Sequence, residues 1–237
     1  MAVYVYSITA STHPRRLDGV DGVGDPPASL RTVKAGELSA IVSDAPEELR
    51  AKRRDLAAHQ AVQERLMADG TVLPLQFGFT ADDDDAVRGV LEERAEEFTE
   101  RLQALADCVE YHLKAAQDED ALLRQILAES EEARGLNEQI TSGRGGPDLP
   151  LALGELVAQE VQARQDRLAA SLLDALQGLA REDVVSQPTG NDFLNVSFLV
   201  EHDQEESFRT AEKDLADKLG GDFDLRLRGP LPAYSFV

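Results

Sequence analysis

The sequence predicts an α+β protein. An N-terminal α+β domain over residues 1–106 is followed by a ferredoxin-like (βαββαβ) domain over 107–237, enlarged by a helical insertion at about 118–180. Three observations predict this. Short runs rich in Val, Ile, Tyr and Phe alternate with longer segments whose apolar residues recur at helical spacing. Ala and Leu dominate the composition, which favours helix. The second half reads β-α-β-β-α-β, an order that packs helices on one face of an antiparallel sheet. An apolar share of 42% supplies enough core for two small domains.

The elements follow in chain order. Val3, Tyr4, Val5, Tyr6 and Ile8 make a β-rich opening strand. Ser11 to Pro27, rich in Gly, Pro and Asp, is a loop. Leu30–Val33 and Leu38–Val42 flank Lys34-Ala-Gly-Glu37, the spacing of a hairpin with a glycine in its turn. A helix is expected from about Glu48 to Ala68, with Leu49, Leu56, His59, Val62 and Leu66 on its apolar stripe. Gly70 stops it. Thr71 to Phe77 is a short strand, and Pro74 inside it demands an edge or a bulge. A second helix after Thr80 carries Val87, Leu91, Ala95, Phe98, Leu102 and Leu105 on one face.

The second half opens on Cys108–Lys114, which alternates like a strand. Two helical stretches follow, one with Leu122, Leu123, Ile126 and Leu127, the other from about Leu153 to Leu179. Thr141 to Pro147 breaks any continuous helix between them. A strand near Asp183–Ser186, a turn at Pro188–Asn191 and a strand at Phe193–Val200 come next. A helix with Phe208, Ala211, Leu215 and Leu219 ends at Gly220-Gly221, and the last strand is Phe223–Leu227.

Charge and cysteine content narrow the function. Asp and Glu number 45 against 24 Lys and Arg, a net charge of −21. Such a field repels phosphate backbones and anionic membrane surfaces. The single cysteine, Cys108, leaves no intramolecular disulfide framework and reads as a small core residue. The first eight residues lack the basic region and long apolar run of a signal peptide, and no run approaches the ~20 apolar residues of a bilayer span. The expectation is a soluble cytoplasmic protein.

Chemistry-bearing patterns are sparse. His13, His59, His112 and His202 are too scattered for zinc-ligand spacing with one another or with Cys108. His59 lies on an apolar helix stripe and reads as a core or interface histidine. Asp82 to Asp85 fails as a calcium loop, because the sixth residue is Val87 rather than glycine. It suits a helix N-terminus, where the macrodipole favours carboxylates. Gly19 to Gly24 matches a dinucleotide loop only in glycine content, since it does not join a strand to a helix. Ser142-Gly-Arg-Gly-Gly146 could hold an anion on backbone N–H groups and Arg144, but reads as an interhelical loop. No nucleophile has an evident base. The sequence therefore predicts no catalytic, cofactor-binding or metal-binding residues, no cofactor and no enzyme.

Several landmarks together resemble the gas vesicle protein L/F family (GvpL/GvpF). They are Tyr4-Val-Tyr-x-Ile8, Ala40-Ile-Val-Ser-Asp44, His59-x-x-Val62, Val72-Leu-Pro-Leu-Gln-Phe-Gly78, Val109-Glu-Tyr-His-Leu-Lys114, Asn195-Val-Ser-Phe-Leu-Val200 and Gly229-Pro-x-Pro-x-Tyr-Ser-Phe236. Their order and spacing extend over nearly the whole chain. The chain departs from the family at Leu231, where an aromatic often follows the first proline, and over Ser142–Leu151. The resemblance implies an accessory or minor structural protein of gas vesicle formation, without enzyme activity and built of two domains. It implies association with the vesicle and with the apolar shell protein GvpA, whose assembly or nucleation it would assist. A chaperone-like acidic protein suits that task, because charge keeps a complex with apolar subunits dispersed. Two other readings stand beside it. One is an enzyme or small-ligand sensor on a ferredoxin-like scaffold, with a site near His59, Gln76 and His112. The other is a plain homo-oligomeric scaffold.

The ending, Gly229-Pro-Leu-Pro-Ala-Tyr-Ser-Phe-Val237, carries no charged side chain in a protein that is 29% charged. It reads as the last strand of a core, or as an adhesive end for a partner. Deleting 229–237 is expected to lower stability by several kcal/mol, roughly the burial of two or three large side chains. Thermal melting checks this. An unchanged melt with lost partner binding would make the tail a contact site instead.

Overall fold

The opening strand β1 (Val3–Ala10) is buried along its length apart from its last residue. A strand covered on both faces needs a layer on each. In the computed structural model, which describes residues 1–144 and 146–237, helices supply both layers. β1 pairs antiparallel with β3 (Leu38–Asp44), and β3 with β2 (Arg31–Ala35). The β2–β3 hairpin turns at Gly36, whose φ of +54° suits a residue without Cβ. On its other side β1 pairs with β4 (Leu73–Pro74) and β5 (Thr80–Ala81), giving the order β2-β3-β1-β4 with β5 also on β1. The expected strand around Pro74 thus shrinks to two residues at the sheet edge, where a missing N–H is tolerated.

One irregularity decides which residues face which layer. Val5 lies opposite Val42, but Ser7 lies opposite Ile41, so Tyr6 is the extra residue of a β-bulge. Strict alternation would put Tyr4, Tyr6 and Ile8 on one face. The bulge puts Tyr4, Tyr6 and Ser7 toward α1 (Arg53–Met67), where Tyr4 and Ser7 bond His59 and Gln63. Val5 and Ile8 go to the opposite side, with α2 (Asp84–Glu93) and α3 (Ala95–Ala104).

α1 starts later than expected, and His59, Val62 and Leu66 of the expected stripe are buried. Its buried face is Asp55, His59, Val62, Gln63 and Leu66, while Leu56 is 42% exposed. Asp55 and Gln63 take inward positions that an apolar stripe does not include, and Leu56 turns out. Leu49 packs against the Tyr4–Tyr6 cluster from the segment before the helix. The second expected helix is two helices broken at Arg94, whose φ of −110° and ψ of +25° leave the helical region. Ala95 is exposed beyond the break, while Val87, Leu91, Phe98 and Leu102 stay buried. Asp83 caps α2, accepting the Ala86 N–H at 2.8 Å, with Asp84 and Asp85 in the first turn.

The second half contains β6 (Cys108–Gln117), α4 (Glu119–Glu129), α5 (Glu131–Thr141), α6 (Leu149–Leu176), β7 (Glu182–Val185), β8 (Asp192–Glu201), α7 (Glu205–Leu219) and β9 (Phe223–Leu231). The sheet order is β7-β8-β6-β9. The helix α5, not foreseen as a separate element, has only Ala133 buried, which leaves little apolar signal. It is capped by Ser130, which accepts the Ala133 N–H. Leu122, Ile126 and Ala133 form a small core with Leu153, Leu156 and Val157 of α6. Phe198 and Phe208 pack ring against ring at 5.2 Å.

The chain divides into two compact units. One comprises 1–111, 199–202 and 229–237, and the other 112–198 and 203–228. The sequence expectation cut the chain at 106/107 and placed the tail with the second half. In the structure the tail belongs to the first unit, because its partners are residues of α1 and the start of β6.

Leu66→Ala is expected to cost about 2–5 kcal/mol, the range for emptying a buried leucine site. Leu56→Ala should stay within about 0.5 kcal/mol. Urea unfolding of the two variants measures both. Equal losses would mean that Leu56 turns inward after all.

Candidate functional site

The first unit carries two linked features on opposite sides of β1: an anchored tail and an apolar groove. The tail leaves β9 past the Tyr111 ring. A Cβ at Gly229 would lie 2.5 Å from that ring, and φ there is +156°, so the close passage requires glycine. Pro232 and Ala233 are buried, and a single helical turn, Tyr234–Phe236, buries Phe236 completely. Glu110 of β6, only 4% exposed, grips this turn. Its Oε2 accepts the Ser235 N–H at 2.9 Å and its Oε1 accepts the Ser235 hydroxyl at 2.8 Å. A buried carboxyl is tolerated when its oxygens are hydrogen-bonded in this way.

Tyr234 reaches the second anchor, His59. The Tyr4 hydroxyl accepts the Gly78 N–H at 3.1 Å and pairs with His59 Nδ1 at 2.9 Å. The Gln63 amide donates to the Tyr6 carbonyl at 2.5 Å and to the Leu75 carbonyl at 3.4 Å. His59 Nε2 lies 3.3 Å from the Tyr234 hydroxyl and 3.4 Å from the Gln63 amide nitrogen. Burial holds His59 below the ordinary histidine range, with the Leu75 carbonyl opposing that shift. Burial pushes the Tyr234 hydroxyl up to about 12 and raises Tyr4 further. Tyr4, Tyr6 and Phe77 surround the imidazole at ring distances of 5.7 to 5.8 Å. His59 is therefore a core histidine that ties α1, β1 and the tail together.

The groove lies on the other face. Val5 and Ile8 form its floor with Leu73, while Val87, Leu91 and Phe98 form a wall from α2 and α3. Its volume is about 650 Å³. Phe79, Val90 and Val237 line it while 54%, 46% and 54% exposed. Three of the seven exposed large apolar side chains among the described residues thus meet at one groove. Its charged lining is Arg94, Glu97, Glu100 and Arg101. Arg94 forks onto Glu97 at 2.7 and 2.5 Å and lies 4.9 Å above the Phe98 ring.

The remaining sequence candidates have structural roles. His13 donates from Nε2 to the Leu66 carbonyl at 3.1 Å and accepts the Arg15 N–H at Nδ1. The glycine-rich loop at 19–24 seals Tyr6, whose hydroxyl accepts the Val23 N–H at 2.8 Å, and a Cβ at Gly22 would strike that hydroxyl. His112 pairs with Asn195 at 2.6 Å inside the second unit. Gln76 is exposed in the first. Arg144 bonds the Ser142 hydroxyl, and Gly145 of that loop lies outside the described residues. Among the described residues no three His, Cys, Asp or Glu side chains cluster as a metal site, and no helix is long and apolar enough to cross a membrane. Glu110, Phe79 and Val90 escaped the sequence reading. Glu110 stood inside a recognised landmark, Val109-Glu-Tyr-His-Leu-Lys114, but nothing in its alternating surroundings marked it as buried.

The fold is that of solved gas vesicle proteins. It superposes on the crystal structure of the gas vesicle protein GvpF from Anabaena sp. PCC7120 with a TM-score of 0.82 and 21% identity, covering 99% of this chain and 97% of that one. GvpF from Microcystis aeruginosa matches with a TM-score of 0.81 and 23% identity, over 99% and 98%. The family model for gas vesicle synthesis protein GvpL/GvpF matches residues 2–237, and the chain belongs to that family. Gas vesicle protein F of Streptomyces sp. (strain CB03234) is 46% identical over the full length of both chains. That of Dolichospermum flosaquae is 24% identical over 99% of this chain and 97% of its own. The membership assigns the chain a gas vesicle role in a family of structural or accessory proteins.

Burial lowers the pKa of both His59 and His13, so the unfolded chain takes up their protons first. Stability is then constant above the unfolded-chain value near 6.5 and falls as pH drops below it, until the folded values are reached. Melting temperature measured from pH 7.5 to 5 is expected to decline below about 6.5. The decline should be shallower in His59→Gln.

Proposed function

We propose that the chain assists gas vesicle formation by binding the apolar shell protein GvpA and supporting its assembly or nucleation. The family match across residues 2–237 carries this reading. The composition supports it. A shell subunit that will face gas exposes apolar surface before it is built in, and such surface aggregates in water. A companion with net charge −21 gives the pair enough like charge to stay dispersed. The groove of about 650 Å³ offers apolar surface of the kind a greasy partner needs. On this reading the protein works at the vesicle or on the path to it, by adhesion rather than turnover.

Co-expression of the full chain with its cognate shell protein, followed by affinity capture, is expected to retain the shell protein. Capture of no gas vesicle component, with each partner folded, would contradict the proposal.

A further inference from the structure

We infer that the groove between β1 and the α2–α3 pair receives an amphipathic helix with basic flanks. The inference rests on the shell-protein reading above and assigns the helix to that subunit.

The groove's chemistry selects a helix over a strand. Its floor is the face of a sheet, not an edge. β1 has β3 on one side and β4 and β5 on the other, and the Val5 N–H is taken by the Phe79 carbonyl at 3.0 Å. An extended segment laid there would find no backbone partners for its own N–H and C=O groups. A helix satisfies its backbone internally and presents only side chains, so it loses nothing in an apolar trough. The size agrees. α3 has ten residues, about 15 Å of wall, or nearly three helical turns. A volume of about 650 Å³ is roughly four times the 150 Å³ that holds one benzene-sized group, enough for anchors at i, i+3 or i+4, and i+7.

Charge selects the flanks. Residues 82–104, which include both wall helices, hold nine carboxylates and three arginines. Asp84, Asp85 and Glu97 are bonded to Arg31, Arg88 and Arg94, while Glu92, Glu93, Glu96 and Glu100 are exposed, Glu100 in the lining of the groove and the other three elsewhere on the same two helices. A helix whose apolar face is bordered by Lys or Arg is drawn to that wall. A second copy of this chain is not. It would present the same acidic helices and a net charge of −21. Val237 adds a condition, because the last residue of the tail lines the groove. The bonds that seat the tail, Glu110 to Ser235 and His59 to Tyr234, therefore hold one boundary of the docking surface in place.

The test uses the full chain and fluorescein-labelled peptides tiling the cognate shell protein, with intact shell protein captured in parallel. Val90→Glu and Phe79→Asp change exposed side chains, so both variants should melt like the parent. Each is expected to weaken peptide binding and shell-protein capture tenfold or more. Leu151→Glu, a change at an exposed leucine of α6, should leave both intact. A proline at the centre of the binding peptide should abolish binding, since it breaks a helix. The association rate should fall severalfold from 0.05 to 0.3 M salt. Shell protein captured equally by all variants overturns the groove assignment and leaves the shell-binding reading standing. No capture by the parent chain overturns both. Self-association of the parent that Val90→Glu removes, an association rate indifferent to salt, or a proline-tolerant peptide also overturns the inference.

Discussion

The structure of the first unit depends on β1 being buried on both faces with one residue too many. Eight residues, Val3 to Ala10, must serve two layers, and the bulge at Tyr6 divides them. Toward α1 it aims Tyr4, Tyr6 and Ser7, a face of rings and hydroxyls that needs hydrogen-bond partners. The partners are His59, Gln63, Ser43 and the Val23 N–H. Toward α2 and α3 it aims Val5 and Ile8, a face with no polar atoms. One side is thereby committed to a closed polar network and the other to apolar contact. Pairing the same residues in strict alternation, without the bulge, would move Ser7 and Ile8 to each other's faces. It would bury a hydroxyl in the groove and an aliphatic chain among polar groups.

The tail joins the two faces. Its turn is bonded to Glu110 and His59, and its last residue lines the groove. A segment without a charged side chain in an acidic protein is thus not simply a closing strand. Phe236 is core, Ser235 and Tyr234 are polar anchors, and Val237 is 54% exposed surface. The two sequence readings of this segment, structural and adhesive, describe different residues within it.

Much of this was legible in the sequence where local physics decides. The opening strand, the hairpin at Gly36, the helix start at the Asp82–Asp85 carboxylates and the β-α-β-β-α-β order of the second half follow from propensity, turn chemistry and periodicity. The family landmarks supplied the rest of the frame. The sequence reading failed where a residue's environment is made by distant chain. In α1 the stripe finds His59, Val62 and Leu66 but not Asp55 and Gln63, which face inward because each has a partner far away: the Gly24 N–H for one, Ser7 and Tyr6 for the other. The break at Arg94 left no glycine or proline signal. The groove was invisible because Val5 and Ile8 stand three apart, a spacing that alternation assigns to opposite faces. Only the bulge makes them neighbours.

Hydrogen–deuterium exchange of the full chain, with and without its cognate shell protein, tests the central claim most directly. The account predicts new protection over Phe79–Ala104 and at the terminal residues beside Val237, with the amides of α1 unchanged. Protection confined to the second unit, with Phe79–Ala104 exchanging as in the free chain, would contradict it.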